Sequence, residues 1–83
     1  MARLSFQPRL LEMWREVEIP PQHEFRFEVG WDLPFAVRIE EGQAEIFGAE
    51  MVGLREYEWR GVKLTIFSWQ GARLAVKGQP EVA

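Results

Sequence analysis

Residues 24–31 alternate without a slip: Phe25, Phe27, Val29 and Trp31 fall on one parity, Glu24, Arg26 and Glu28 on the other. Successive side chains of a β-strand leave on opposite faces, so this run has one face suited to a core and one suited to water. The same period returns in residues 14–19, 35–40, 55–60 and 72–76, and Pro or Gly punctuates the runs at Pro20-Pro21, Pro34, Gly42, Gly48, Gly53, Gly61, Gly71 and Gly78-Gln79-Pro80. No segment sustains a helical period. Leu10, Leu11 and Trp14 hint at one, but a stretch that short without a cap does not hold a helix. The pattern predicts an all-β fold, a small antiparallel β-sandwich of seven to eight short strands. Residues 1–13, interrupted at Pro8, read as an N-terminal lead-in or edge strand, and residues 14–83 as the sandwich domain.

Three local expectations follow. Glu41-Gly42 is a turn signal, so residues 35–40 and 43–47 read as a hairpin, and the glycines of residues 42–50 mark a sharp corner. Trp31 and Trp59 follow the apolar parity of their strands and are expected in the core. Residues 62–69 are apolar on both parities, with Val62, Leu64 and Ile66 on one side and Phe67 and Trp69 beside Lys63 and Thr65 on the other. A strand of that kind is central, or is covered at one end by another part of a larger protein.

Composition narrows the possible chemistry. A chain of 83 residues makes one domain, and at that size folding buries only roughly 60–65% of the unfolded surface. Its core must therefore draw on the four Trp, six Phe and one Tyr. Cysteine is absent, which removes disulfides, thiolate metal sites and cysteine nucleophiles and suits a reducing compartment. Thirteen carboxylates against ten Lys and Arg are interspersed, leaving a formal charge of -3 and no basic stripe. Direct nucleic-acid binding is not expected of such a surface. No apolar run is long enough to span a bilayer, and no charged start leads into an apolar segment, so neither a membrane partner nor secretion is expected.

No catalytic set assembles from these residues. Gly48 and Gly53 have the glycine spacing of a phosphate loop, but Leu54-Arg55 stands where the Lys and the Ser or Thr are needed, and Glu50 would repel phosphate. His23 is the only histidine, and beside Pro20-Pro21 it reads as a solvated turn residue. The pairs Glu16/Glu18, Glu40/Glu41 and Glu56/Glu58 could be imagined as a glycosidase acid and base, yet residues two apart on a strand, as in the first and last pairs, share its wet face. Neither a catalytic residue nor a metal ligand is assigned. The tryptophans leave open a sugar- or peptide-binding β-sandwich, with Trp14 and Trp69 as the candidate stacking residues.

The central string Ala44-Glu45-Ile46-Phe47-Gly48-Ala49-Glu50 has Glu24-Phe25-Arg26-Phe27-Glu28-Val29 before it and Val62-Lys63-Leu64-Thr65-Ile66-Phe67-Ser68-Trp69-Gln70-Gly71 after it. Together these resemble the N-terminal domain of the Clp family of pre-mRNA cleavage and polyadenylation factors, the polynucleotide 5′-hydroxyl kinase-like proteins. The resemblance runs from about Trp14 to Ala83, with Ala49 in place of the family's usual Thr. It implies a β-sandwich that precedes a P-loop domain, with the phosphate loop and magnesium ligands lying in that domain, so that this chain alone is not an enzyme. By the same resemblance the sandwich leans on the P-loop domain of a nuclear mRNA 3′-end processing factor and helps enclose the adenine of ATP. Glu24 and Lys63, the latter with its backbone, match the adenine-contacting positions. Lys63 also reads as an edge lysine that discourages strand addition, and Glu24 as the polar start of a strand. The Phe67 and Trp69 side of residues 62–69 is the expected docking surface. ATP with magnesium is implied in the parent protein, and its other processing partners are expected to bind largely outside this segment.

Overall fold

The computed structural model describes residues 13–80, and eight strands carry the fold. They are β1 (Arg15–Ile19), β2 (His23–Val29), β3 (Phe35–Gly42), β4 (Glu45–Ile46), β5 (Ala49–Glu50), β6 (Tyr57–Trp59), β7 (Val62–Ser68) and β8 (Ala72–Lys77). Two four-stranded antiparallel sheets form, one in the order β1-β8-β3-β6 and the other in the order β2-β7-β4-β5. The all-β sandwich expected from the alternation is the observed architecture. The lead-in expected over residues 1–13 lies outside the described residues except for Met13.

The inner faces are those the parity assigns. Phe27 and Val29 of β2, Phe35, Val37 and Ile39 of β3, Leu64 and Ile66 of β7, and Leu74 and Val76 of β8 form one buried cluster, joined by Ile19, Ala44, Met51 and Ala72. Phe27 sits at its centre. Its ring centroid is 5.0 Å from Phe35, 5.3 Å from Phe25 and 5.6 Å from Trp59, all tilted, the arrangement that suits the charge distribution of aromatic rings.

On the outer face of the β1-β8-β3-β6 sheet, Trp14 lies between the Arg38 guanidinium, 4.4 Å from its ring centroid, and the Lys77 ammonium, 4.8 Å from it. These cations sit on the ring's negative face. Ala36 and Ala75, opposite Lys77 and Arg38 in the ladder, are buried beneath these long side chains. Trp14 is thereby engaged by the cations of its own sheet.

Two expectations are corrected. Residues 35–40 and 43–47 do not pair as a hairpin: β3 continues through Glu41 and Gly42 to pair with β8, while β4 joins β7 in the other sheet through Glu45 and Phe67. Glu41-Gly42 does redirect the chain, but across the core instead of back along the same sheet. The β3 register shifts between Ile39 and Glu41, a bulge after which pairing with β8 resumes at Glu41 and Gly42, and the Ile39 carbonyl there accepts from the Leu54 N–H at 2.9 Å.

Trp31 is the second correction, since it is 76% exposed. The β2 ladder ends at Val29, and Gly30 lets the chain leave the sheet before the alternation reaches the indole. Trp59, by contrast, is half-buried against the core as expected. The sharp corner also forms. Phe47 and Gly48 have φ of 53° and 78° between the paired residues Ile46 and Ala49, the sign pattern of a two-residue type I′ turn.

Candidate functional site

Glu24, Lys63, Phe67 and Trp69 all belong to the outer side of the β2-β7-β4-β5 sheet. On β2 and β7 the inward residues are Phe25, Phe27 and Val29 against Ile66, Leu64 and Val62, so the alternate residues face outward. The ladder orders them in rows. Glu24 stands opposite Phe67, Phe67 opposite Glu45, and Glu45 opposite Glu50, one row across four strands. Arg26 faces Thr65 in the next row of β2 and β7, and Glu28 faces Lys63 in the row after that.

Phe67 is half-buried, and Trp69 beyond it is 58% exposed. The two rings meet edge to face at 4.8 Å with an interplanar angle of 81°. They form an outward aromatic pair flanked by the carboxylates of Glu24 and Glu45. β7 is the interior strand expected from its apolar content, with Leu64, Ile66 and Ser68 buried and Lys63 exposed. Ser68 anchors its end. Its hydroxyl donates to the Gln43 carbonyl at 2.6 Å and accepts from the Gly71 N–H at 2.8 Å, while its carbonyl accepts from the Gln22 N–H at 2.8 Å.

Glu24 and Lys63 share this face but are not brought into contact. Four residues of strand separate their rows, about 13 Å at the usual rise. The Glu24 carboxylate accepts from Arg26 Nε on its own strand, and Lys63 makes no ion pair among the described residues. A ligand touching both has to lie along the strands. His23 is exposed with Nδ1 2.9 Å from the Pro21 carbonyl. Among the described residues no group of three His, Cys, Asp or Glu side chains could hold a metal ion. In two of the imagined acid-base pairs, Glu16/Glu18 and Glu56/Glu58, all four carboxylates are exposed, Glu16 beside Arg73. Glu40 and Glu41 pair with Arg38 and Arg73 respectively.

A separate cleft of about 460 Å³ runs between Pro20-Pro21 and Gln70-Gly71, with Arg73 on its wall. Arg73 lies between Glu16 and Glu41, at 3.4 Å from each. Its Nε finds no hydrogen-bond acceptor, so the Glu16 contact is an undirected charge pair. The acidic flanks give this cleft nothing to recruit an anion.

Two exposed aromatics were not singled out as site residues from the sequence. Phe47 is 85% exposed at the tip of the β4-β5 hairpin. Trp31 lies at the end of β2 beside a cleft of about 300 Å³ that Glu28 and Lys63 also line. Gly30 was the available signal for Trp31, and the residue pair Phe47-Gly48 for the hairpin tip.

Residues 18–83 match a family model described as the N-terminal beta-sandwich domain of polyadenylation factor. The chain belongs to that family. It is 31% identical over 67 residues to the mRNA cleavage and polyadenylation factor CLP1 of Phaeosphaeria nodorum, covering 81% of this chain. Against the mRNA cleavage and polyadenylation factor clp1 of Botryotinia fuckeliana it is 39% identical over 64 residues, covering 77% of this chain. The chain spans 14% of the length of each of these relatives. One solved structure, concerned with the extended interface between Pcf11p and Clp1p and the basis of ATP loss in a point mutant, superposes with a TM-score of 0.77. That superposition covers 81% of this chain and 16% of the other at 24% identity, a likeness of fold. In this polyadenylation-factor sandwich residues 45–50 form β4, β5 and the turn between them, with Ala44 buried just before β4.

Proposed function

We propose that this domain is the non-catalytic N-terminal module of a nuclear mRNA 3′-end processing factor. It packs on a P-loop, polynucleotide kinase-like domain of the parent protein, and Glu24 and Lys63 help cover the adenine of ATP held there with magnesium. Family membership supports the cleavage and polyadenylation setting. The observation that carries the packing is the Phe67-Trp69 pair, an aromatic cluster on an otherwise charged sheet face. Rings left partly in water on a small domain mark a surface suited to being covered. Docking there would also shield Glu24, which stands directly across from Phe67, from solvent and strengthen any hydrogen bond from the adenine amino group.

The remaining partners are other 3′-end processing factors, reached through the parent protein, as Clp1p meets Pcf11p. The test joins this domain to its P-loop domain and compares the wild type with Phe67→Ser/Trp69→Ala. The paired substitutions should release the sandwich to limited proteolysis and lower the ATP that copurifies, with the β-sheet circular dichroism unchanged. Unchanged protection and unchanged ATP content would refute the docking.

A further inference from the structure

We propose that Trp31 is an aromatic platform on which the purine ring of a nucleotide stacks, in the cleft it shares with Glu28 and Lys63. The inference rests on the reading of this sheet face as nucleotide-covering and seats the base at its Lys63 end, with Glu28 in place of Glu24, four strand residues away, as the carboxylate beside it. A tryptophan at 76% exposure is an unusual use of the largest apolar side chain in a domain this small.

The indole is held rather than loose. It lies against Gly61, whose φ of +59° and missing side chain make the close approach possible: a Cβ at that position would run into three carbons of the ring. The backbone on both sides is clipped in place. The Gly61 N–H donates to the Gly30 carbonyl at 2.9 Å, and Arg60 Nη1 donates to the carbonyls of Trp31 and Asp32, each at 3.3 Å. A ring fixed on one side and open on the other is preorganised for stacking and loses little freedom when a second ring is added.

The surroundings select the kind of ring. The cleft is an open depression of about 300 Å³, at the small end of ligand sites, with room for a base laid against the indole. Lys63 and Glu28 stand opposite each other on the two strands beside it. A carboxylate accepts from an exocyclic amine, and an ammonium donates to ring nitrogens or phosphate oxygens. A bicyclic purine overlaps the bicyclic indole more fully than a pyrimidine does. A neutral sugar would leave the Lys63 charge unanswered.

The test is a titration of the 83-residue chain with AMP, followed by ¹H-¹⁵N NMR. Upfield shifts are expected at the Trp31 indole N–H and at the amides of residues 60–63. Trp31→Ala should weaken binding about tenfold and Trp31→Phe should keep most of it, as base stacking on an aromatic ring predicts. If Trp31→Ala leaves the affinity unchanged while Lys63→Gln or Glu24→Gln lowers it, the platform is overturned and the nucleotide-covering face stands. If AMP moves no outer-face resonance, or no variant alters its affinity, the platform is overturned, and the docking reading is decided separately by the proteolysis and ATP-content comparison. Shifts at Trp31 with methyl glucoside but not with AMP would overturn the platform in favour of a sugar site.

Discussion

Ser68 is fully buried, yet it sits on a strand whose other inward residues are apolar. It is tolerated because its hydroxyl is satisfied twice, by the Gln43 carbonyl and the Gly71 N–H. Ser68→Ala would leave both backbone groups without that partner and should cost about 1–3 kcal/mol, read as a lower urea midpoint at constant m-value. Phe47 makes the opposite case. A bulky side chain at φ 53°, 85% exposed, satisfies neither backbone nor core. Phe47→Asn, the residue type that accepts a left-handed backbone most readily, should raise stability by about 1 kcal/mol in thermal denaturation. That substitution tests whether the turn tolerates strain for the sake of an exposed ring. The corner was legible in Gly42, Gly48 and their neighbours, but the outward direction of Phe47 was not, because alternation has no meaning once the chain leaves extended backbone.

β7 shows how one strand serves two faces. Leu64 and Ile66 complete the core, while Lys63, Thr65 and Phe67 lie on the outer surface where the proposed docking and nucleotide contacts gather. Both parities were readable in the sequence because the strand is regular throughout. The connection that feeds it is less so. Gly61 joins β6 to β7 and carries the Trp31 ring, so Gly61→Ala strains the backbone and drives the indole off its seat at once. The expected result is a loss of about 1–2 kcal/mol from the backbone alone, with a changed Trp31 indole resonance beside an otherwise native spectrum. An unmoved indole would mean the ring has another support. β3 and β4 do not form the hairpin the sequence suggests, for a related reason. A Glu-Gly pair signals that the chain turns, but which strand receives it depends on β8 and β6 holding the two edges of β3.

At the scale of the whole domain, stability comes from two sheets closing over one aromatic-centred core. Phe35 and Phe27 approach each other from opposite sheets, with ring centroids 5.0 Å apart. Phe35→Ala should cost about 3–5 kcal/mol, against a total of about 4–12 kcal/mol for a chain of this size. Equilibrium unfolding in urea should therefore show a large fall in midpoint, and a loss below 1 kcal/mol would mean that the sheets are not held chiefly by this contact.

The amino-acid order alone determined which side chains face inward on β2, β3, β7 and β8, that no helix interrupts them, and that one strand is apolar on both sides. It could do so because each of those decisions is made by neighbours two residues apart. Folding in three dimensions decided what no local period contains: that β3 hands the chain to the opposite sheet, that Trp31 comes to rest in the open on Gly61, and that Glu24 and Lys63 share a surface without touching. Those outcomes depend on residues distant in the chain meeting at the same edge and in the same space.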